Sequence, residues 1–219
     1  MKPLKLDFVS DVACPWCAVG LASLERALEK LDGEVSAEIH FQPFELNPGM
    51  SPGGQDANEY LTSKYGSTPQ QQKASRDAIR ARGAAVGFEF REEGRGRIYN
   101  TFNAHRLLHW AGLQDAGRQH ALKKALLKAY HGEGRSPEDA AVLLDAVAQA
   151  GLDTARAGEI LAGDEYAREV RASEQLFQEM GIHAVPAVII NDRHLIQGGQ
   201  PPEMFEQALR QIAASPAAA

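Results

Sequence analysis

The change of hydrophobic period along this chain constrains its fold more than any other feature. Apolar residues alternate with polar ones over residues 4–8 and 35–42, which is the period of a half-buried strand. Strand-like apolar runs return only at 187–190 and 194–196, where Asn191-Asp192-Arg193 makes the turn of a hairpin. The strands at the two ends are therefore predicted to form one four-stranded sheet with flanking helices.

Helical spacing fills the long middle of the chain. Residues 1–50 and 163–213 are therefore expected to form one domain, residues 51–162 a helical insertion, and residues 214–219 a disordered tail. The predicted helices cover residues 55–66, 69–86, 100–114, 118–131, 137–150, 153–162 and 164–181, with a last one from Pro201 to Ile212. The charges also set the insertion apart, because it holds 15 basic and 13 acidic groups whereas the rest of the chain holds 8 and 16.

The only two cysteines, Cys14 and Cys17, stand just after the first strand. Pro15 suits the first position of a helix, where its missing N–H costs nothing, so Cys14 is predicted at or beside the N-cap. Unpaired amides at a helix N-terminus carry partial positive charge and favour a thiolate at Cys14. The spacing thus predicts a redox pair in which Cys14 attacks as the exposed nucleophile and Cys17, one turn deeper, resolves the mixed disulfide.

Two other uses of the cysteines are less favoured. A structural zinc site needs four ligands, and the best substitutes, His105 and His109, lie at least 88 residues beyond Cys17. A static disulfide across so short a loop would constrain little chain entropy. A thiol pair that exchanges electrons with other thiols is the interpretation that both arguments leave.

Composition excludes several partners. With 23 basic and 29 acidic groups the net charge is −6, which gives no reason to expect nucleic acid. No window reaches the roughly 18 apolar residues of a membrane helix, and the first residues offer no apolar core of a signal peptide. We therefore expect a cytoplasmic protein without a membrane partner, in which the cysteines rest mainly as a dithiol.

Three features of the sequence point together to one family. A C-x-x-C opens the first helix, Val-Pro heads the third strand, and helices are inserted before that strand. Four finer blocks are Ser10-Asp11-Val12-x-Cys14-Pro15-Trp16-Cys17, Phe44-x-Leu46-Asn47-Pro48, Asn100-Thr101-x-x-Ala104-His105-Arg106-Leu107 and Gly181-Ile182-x-Ala184-Val185-Pro186. This combination resembles the DsbA-like form of the thioredoxin fold, and the blocks are similar to the cytoplasmic FrnE-like branch of dithiol-disulfide oxidoreductases/isomerases. The resemblance spans nearly the whole chain.

The resemblance implies an α/β thioredoxin fold with a large all-helical insertion, and it assigns roles to matching residues. Cys14 is then the nucleophile and Cys17 the resolving thiol. Pro186 is the cis-proline facing them, and Val185 offers backbone hydrogen bonds to an extended substrate. Trp16 stands where relatives carry His or Tyr and adds an aromatic surface for substrate. The implied partners are disulfide- or thiol-containing proteins or small molecules.

The sequence leaves some alternatives open. A glutathione-dependent isomerase or transferase of the 2-hydroxychromene-2-carboxylate isomerase or kappa-class type resembles this architecture, but such proteins typically carry serine where Cys14 stands. In that case Gly198-Gly199-Gln200 could hold a glutathione carboxylate on helix amides. A non-catalytic binding or chaperone module is the second alternative. We expect no tightly bound cofactor and no metal; glutathione as redox partner, a homodimer, and the choice among oxidase, reductase and isomerase stay open.

Overall fold

A computed structural model describes residues 3–214, and its centre is a four-stranded mixed sheet. The first strand, β1 (Leu4–Ser10), pairs in parallel with β2 (Ala37–Pro43) and antiparallel with β5 (Ala187–Ile190), which in turn pairs antiparallel with β6 (His194–Gln197). The strand order is β2-β1-β5-β6. The predicted four-stranded sheet with flanking helices is confirmed.

Burial follows the place of each strand in the sheet. In the central strand β1 every residue except Lys5 is buried, whereas β6 at the edge is mostly exposed. Phe8 stands opposite Phe41 on β2 and Val188 on β5, so one row of apolar side chains crosses the sheet. This row anchors the end of β1 that leads to the cysteines.

Helices cover both faces of the sheet. On one face α1 (Pro15–Lys30) and α9 (Pro202–Ala214) pack together, and their core includes Leu24 and Phe205 as well as both cysteines. On the other face α8 (Ala167–Glu179) contributes Phe177 to a smaller core. The first helix is thus held by the apolar face that carries Leu21 and Leu24.

The insertion has a hydrophobic core of its own, built largely from alanine and leucine. Its elements are α2 (Ala57–Tyr65), α3 (Pro69–Val86), α4 (Phe102–Gln114), α5 (Ala116–Leu127), a π-helical turn (Lys128–Gly132), α6 (Ala140–Gln149) and α7 (Thr154–Ala162). Among residues 3–214, no helix is both long and apolar enough to span a bilayer.

The insertion is not wholly helical, contrary to the expectation. Two short strands, β3 (Gln55–Asp56) and β4 (Arg97–Ile98), pair antiparallel. The Arg97 guanidinium donates hydrogen bonds to the carbonyls of Gly53 and Gly54, and Gly54 approaches Ile98 so closely that a Cβ would lie 2.2 Å from its carbonyl oxygen. A strand of two residues is too short to show an alternation of apolar and polar residues, so the sequence gives no sign of this pairing.

Several helix ends also differ from the prediction. Helix α6 begins at Ala140 because the Asp139 carboxylate caps it by accepting the Ala141 N–H; it does not begin at Pro137. Helix α8 begins only after Tyr166, whose φ of 64° interrupts helical geometry. At the carboxyl end Ala214 belongs to α9, and the remainder of the predicted tail, residues 215–219, lies outside the described residues.

The insertion is fastened to the free edge of the sheet. The side chain of Gln119 on α5 accepts a hydrogen bond from the Phe41 N–H at 2.9 Å and donates one to the Phe41 carbonyl at 3.0 Å. Both residues are buried. An amide side chain therefore occupies the place of a neighbouring strand beside β2, which satisfies backbone groups that an edge strand otherwise leaves open.

Candidate active site

A tight turn between β1 and α1 presents the first cysteine. Cys14 is the N-cap of α1, and Pro15 takes the first helical position, as predicted from the sequence. The Asp11 carboxylate accepts the Ala13 N–H at 2.9 Å, and the Asp11 carbonyl accepts the Cys14 N–H at 3.2 Å. The turn is thereby fixed by the residue that leaves the strand.

The two thiols are free and differ in their acidity. A hydrogen bond from the Cys17 thiol, supported by the Cys17 N–H, holds the pKa of Cys14 below its ordinary value although burial opposes the shift. Burial raises the pKa of Cys17 well above its ordinary value. Of the two thiols, Cys14 is therefore the one that loses its proton first as the pH rises.

Cys14 is buried, contrary to the expectation that it is the exposed nucleophile. Its relative exposure is 4%, against 0% for Cys17, so the two thiols differ in depth only slightly. A place at a helix N-terminus does not by itself expose a thiol, because other segments of the chain cover the N-terminus of α1. A substrate reaches Cys14 through a groove.

Val185 and Pro186 approach this helix end from the neighbouring strand. The Val185 carbonyl oxygen accepts a hydrogen bond from the Cys14 thiol at 3.6 Å, and the Val185–Pro186 peptide bond is cis. Pro186 packs against α1 so closely that a Cβ on Gly20 would lie 3.0 Å from the proline Cγ. Within residues 3–214 the Val185 N–H donates no hydrogen bond, so it remains available to a ligand.

Asp11 holds an ionised carboxylate beneath the cysteine turn. Its exposure is 1%, and it accepts further hydrogen bonds from the Leu46 N–H and the Thr101 hydroxyl, both at 2.7 Å. Burial alone would raise the pKa of Asp11, but His105, with its Nε2 3.5 Å away, and the backbone donors outweigh burial and hold the pKa below its usual value. The sequence reasoning did not single out Asp11, although the residue stands in the block that contains the cysteines.

Arg95 reaches the same turn from the insertion. Its guanidinium donates a hydrogen bond to the Ala13 carbonyl at 2.8 Å. After the hydrogen bonds from Cys17, the charge of Arg95 also lowers the pKa of Cys14, whereas the negative charge of Asp11 raises it. Arg95 lies between the helices predicted over residues 69–86 and 100–114, and no pattern in the sequence singles it out.

Two buried bases from α5 and the π-helical turn lie behind the site. The Nζ of Lys123, a residue only 1% exposed, lies 5.9 Å from the centre of the Phe41 ring, and no carboxylate among residues 3–214 pairs with it. Burial lowers the pKa of Lys123, and its charge opposes the rise in the pKa of Cys17. His131 donates from Nε2 to the Val12 carbonyl at 2.8 Å, and burial lowers the pKa of His131 to about 3, so it stays neutral.

A groove of about 400 Å³ leads to the cysteine pair. One wall carries Cys14, Trp16 and Val185, and helices α2 and α3 of the insertion form the other. The insertion wall is aromatic and polar; its side chains include Tyr60, Tyr65, Ser67, Gln71, Ser75 and Ile79. The structure therefore brings four of the predicted site residues, Cys14, Trp16, Cys17 and Val185, to one place, with Pro186 directly behind them.

The other residues considered from the sequence have local partners. His105 faces the Asp11 carboxylate, and the His109 ring packs against Tyr166 at 5.4 Å, so neither histidine joins the cysteines. The Gly198 N–H donates to the Pro186 carbonyl and the Gln200 N–H to the Gly198 carbonyl, both at 2.8 Å. Two of the three amides suggested for a glutathione carboxylate are thus occupied.

Comparison with known proteins supports the architecture. The family described as DSBA-like thioredoxin domain matches residues 5–210. The crystal structure of a probable DsbA oxidoreductase from Streptomyces coelicolor superposes with a TM-score of 0.88 at 35% sequence identity, covering 99% of this chain and 92% of that one.

More distant similarities extend over nearly the whole chain. An uncharacterized protein of Bacillus subtilis (strain 168) is 27% identical over 201 residues, which is 91% of this chain and 92% of the relative. The cytosolic disulfide reductase DsbM from Pseudomonas aeruginosa, in its structure with GSH, gives a TM-score of 0.64 at 18% identity, covering 95% and 98% of the two chains. At that identity the likeness shows the fold alone.

Proposed function

The chain belongs to the family of DSBA-like thioredoxin domains, and from this premise we propose that it is a thiol-disulfide oxidoreductase that works through Cys14 and Cys17. The observation that carries the proposal is the opposite shift of the two thiol pKa values. Cys14 is the more acidic thiol at the N-terminus of α1, and Cys17 is the less acidic thiol beneath it. This difference separates an attacking thiolate from a thiol held in reserve.

The reaction proceeds in two balanced exchanges. The Cys14 thiolate attacks one sulfur of a substrate disulfide, the substrate S–S bond breaks, and the departing thiolate takes up a proton. Cys17 then loses its proton and attacks the Cys14 sulfur, which releases the second substrate thiol and leaves a Cys14–Cys17 disulfide. Two electrons pass from the protein to the substrate. The reverse sequence oxidises a substrate dithiol.

Substrate binding follows from the groove and from Val185. The unpaired Val185 N–H is positioned to donate to an extended segment, which would lie beside Cys14 in the manner of an added strand. Trp16 offers an aromatic surface in the same groove. A disulfide- or thiol-containing polypeptide or small molecule is the substrate class that this arrangement favours.

The lowered pKa of Cys14 bears on the direction of the reaction. A stabilised Cys14 thiolate stabilises the reduced form of the pair. The Cys14–Cys17 disulfide is therefore a stronger oxidant than one formed from two thiols of ordinary pKa. We therefore place isomerase or general oxidoreductase activity first, with glutathione as the external thiol that resets the pair. Membership of the FrnE-like branch and a cytoplasmic location remain predictions, supported by the sequence blocks.

Turnover assays with the full-length protein test the proposal. We expect it to catalyse reduction of insulin disulfides by glutathione, and we expect Cys14→Ser to abolish this activity. A Cys17→Ser variant should accumulate a mixed disulfide on Cys14. If a wild-type sample with both thiols free catalyses no thiol-disulfide exchange with insulin or with glutathione, the protein is a binding or chaperone module instead. Glutathione-dependent turnover that survives Cys14→Ser would indicate the isomerase or transferase alternative.

A further inference from the structure

A second cavity lies beside the active-site groove, on the far side of Pro15. Its volume is about 130 Å³, which suits a group of a few heavy atoms. Four residues line both spaces: Pro15, Leu61, Ile79 and Arg95. Because these residues line both spaces, the cavity adjoins the groove that leads to Cys14.

The cavity is lined by four arginines, which is unusual in a chain of net charge −6. Arg76 and Arg80 come from α3, and Arg91 and Arg95 from the loop before β4. Glu92 and Glu93 also line it. The sign of the site therefore depends on which arginines these two carboxylates neutralise.

The two glutamates neutralise only part of this charge. Glu93 pairs with Arg91 at 2.8 Å, which cancels one arginine. Glu92 lies 4.0 Å from Arg80 with a side chain 82% exposed, and such a pair is worth little in water. Arg76 and Arg95 have no ion pair among the described residues.

The remaining hydrogen bonds of these two arginines go to neutral groups. Arg76 donates to the Asn58 side-chain oxygen at 3.1 Å, and Arg95 to the Ala13 carbonyl. Each guanidinium has five N–H donors and uses one in these contacts, so both can still donate to a ligand. Apolar side chains, Phe90 among them, form part of the same wall and limit the water that competes for such donors.

We propose that this cavity is a subsite for a carboxylate of the substrate, so that the enzyme prefers disulfides that carry an acidic group close to the reacting sulfur. The guanidinium fork of arginine matches a carboxylate in geometry as well as charge. The inference rests on the proposed oxidoreductase function, because it assigns the cavity to the substrate of Cys14. The carboxylate can belong to a small thiol or to an acidic side chain of a polypeptide.

The test compares three small disulfides that share the same two-carbon arm on each sulfur and carry end groups of different charge. Reduced full-length protein is mixed with 3,3′-dithiodipropionate, its neutral diamide or the cationic cystamine, and oxidation of Cys14 and Cys17 is followed in a single turnover, so no second thiol competes for the cavity. We expect the dicarboxylate to react roughly tenfold faster than the diamide and cystamine to be the slowest, with differences that shrink as salt is added.

Variants then assign the preference to the cavity. In Arg76→Gln/Arg80→Gln the ratio of dicarboxylate to diamide rates should fall close to one; a ratio measured on one variant is insensitive to a partial loss of folded protein. Arg118→Gln/Arg168→Gln removes the same charge from exposed positions outside the cavity and should keep the wild-type ratio. An unchanged ratio in the first variant, or an equal fall in the second, would overturn the proposed subsite.

A second experiment, with peptide substrates, distinguishes the two sources of the carboxylate. Disulfide-linked peptides with Asp or Asn two residues from the cysteine show the same preference if the ligand is an acidic polypeptide, and none if it is a small molecule. If wild-type protein reduces all disulfides at equal rates, the oxidoreductase function stands and the subsite is wrong. If it reduces none, the proposed function itself is wrong and the subsite goes with it.

Discussion

The sulfur of Cys14 lies 3.6 Å from the carbonyl oxygen of Val185, although 171 positions separate the two residues in the chain. The sheet explains the approach. Because β1 runs beside β5, the turn that leaves β1 faces the segment that enters β5, and both meet at the N-terminus of α1. The long helical insertion lies between them in sequence but does not keep them apart in space.

The hydrogen bond from Cys17 should control the acidity of Cys14. Replacing Cys17 by serine keeps a hydroxyl donor, whereas replacing it by alanine removes the donor, so the Cys14 pKa should be higher in Cys17→Ala than in Cys17→Ser. Thiolate absorbance of the single remaining cysteine, followed against pH, measures this difference. Identical titrations of the two variants would show that the side-chain hydrogen bond is not the largest cause of the shift.

Two charged neighbours of the cysteine turn should move the same pKa in opposite directions. Arg95→Gln should raise the Cys14 pKa, and Asp11→Asn should lower it, because each variant removes one charge. Rates of iodoacetamide labelling between pH 5 and pH 9 (about the range of perturbed thiols) report both changes. Movement in one direction for both variants would mean that loss of structure, not charge, determines the result.

Asp11→Asn should also destabilise the fold in a pH-dependent way. An amide cannot accept all the hydrogen bonds that the carboxylate accepts, and a buried donor left unpaired costs about 1–3 kcal/mol. Because the folded pKa of Asp11 lies below the unfolded value of about 3.9, the stabilisation is complete above about pH 4 and disappears as the pH falls further. Urea unfolding of both proteins at several pH values should show the gap closing in acid.

The contact between Gly20 and Pro186 can be tested with one methyl group. Gly20→Ala should gain about 1 kcal/mol of helix propensity but lose about 1–3 kcal/mol to overpacking against the proline ring, so the net effect is a loss of up to about 2 kcal/mol. Gly158→Ala in α7 meets no atom within 4 Å and should gain about 0.5–1 kcal/mol. Equal gains in urea unfolding would contradict the close packing.

The buried Lys123, which lies behind Cys17, should destabilise the fold. Lys123→Met removes a buried amine that has no carboxylate partner and should stabilise the protein at pH 7 by about 1–3 kcal/mol. Because the folded pKa of Lys123 is lowered, the cost is largest at low pH and disappears as the pH rises through the unfolded value of about 10.4. The advantage of the methionine variant, measured by thermal unfolding, should therefore shrink in alkali.

The neighbouring lysine provides the control, and turnover provides a second readout. Lys124 is exposed and pairs with Glu25, so Lys124→Met should cost at most about 1 kcal/mol. Since the charge of Lys123 opposes the rise in the Cys17 pKa, Lys123→Met should also slow release of the mixed disulfide. Wild-type release in a more stable variant would mean that Lys123 does not act on Cys17.

The sequence predicts the features that depend on local period and local chemistry. The strands, the helix that opens at Cys14, and Pro15 at its first position follow from alternation and from capping rules. To predict that Val185 lies beside Cys14, one must also know the order of the strands in the sheet. For that reason this prediction came from family resemblance and not from periodicity.

The residues that the sequence did not reveal act across the fold. Lys123 lies on a helix whose spacing does not distinguish a buried lysine from a solvated one, and Arg95 lies in a charged loop that looks like ordinary surface. The groove beside Cys14 is bounded by two insertion helices, α2 and α3, that lie far from it in the sequence. Only the assembled structure brings these groups within reach of the thiols.

The paired hydrogen bonds between Gln119 and Phe41 bear on how the molecule comes apart. If the insertion detached while the sheet stayed folded, β2 would present an open backbone edge to solvent and to other chains. Asp11 would at the same time lose the Thr101 hydroxyl. The insertion and the sheet are therefore separate in sequence but not independent in unfolding. The two parts should melt in one cooperative transition. If the sheet-forming segments were expressed without the insertion, they should aggregate and should not survive as a smaller enzyme.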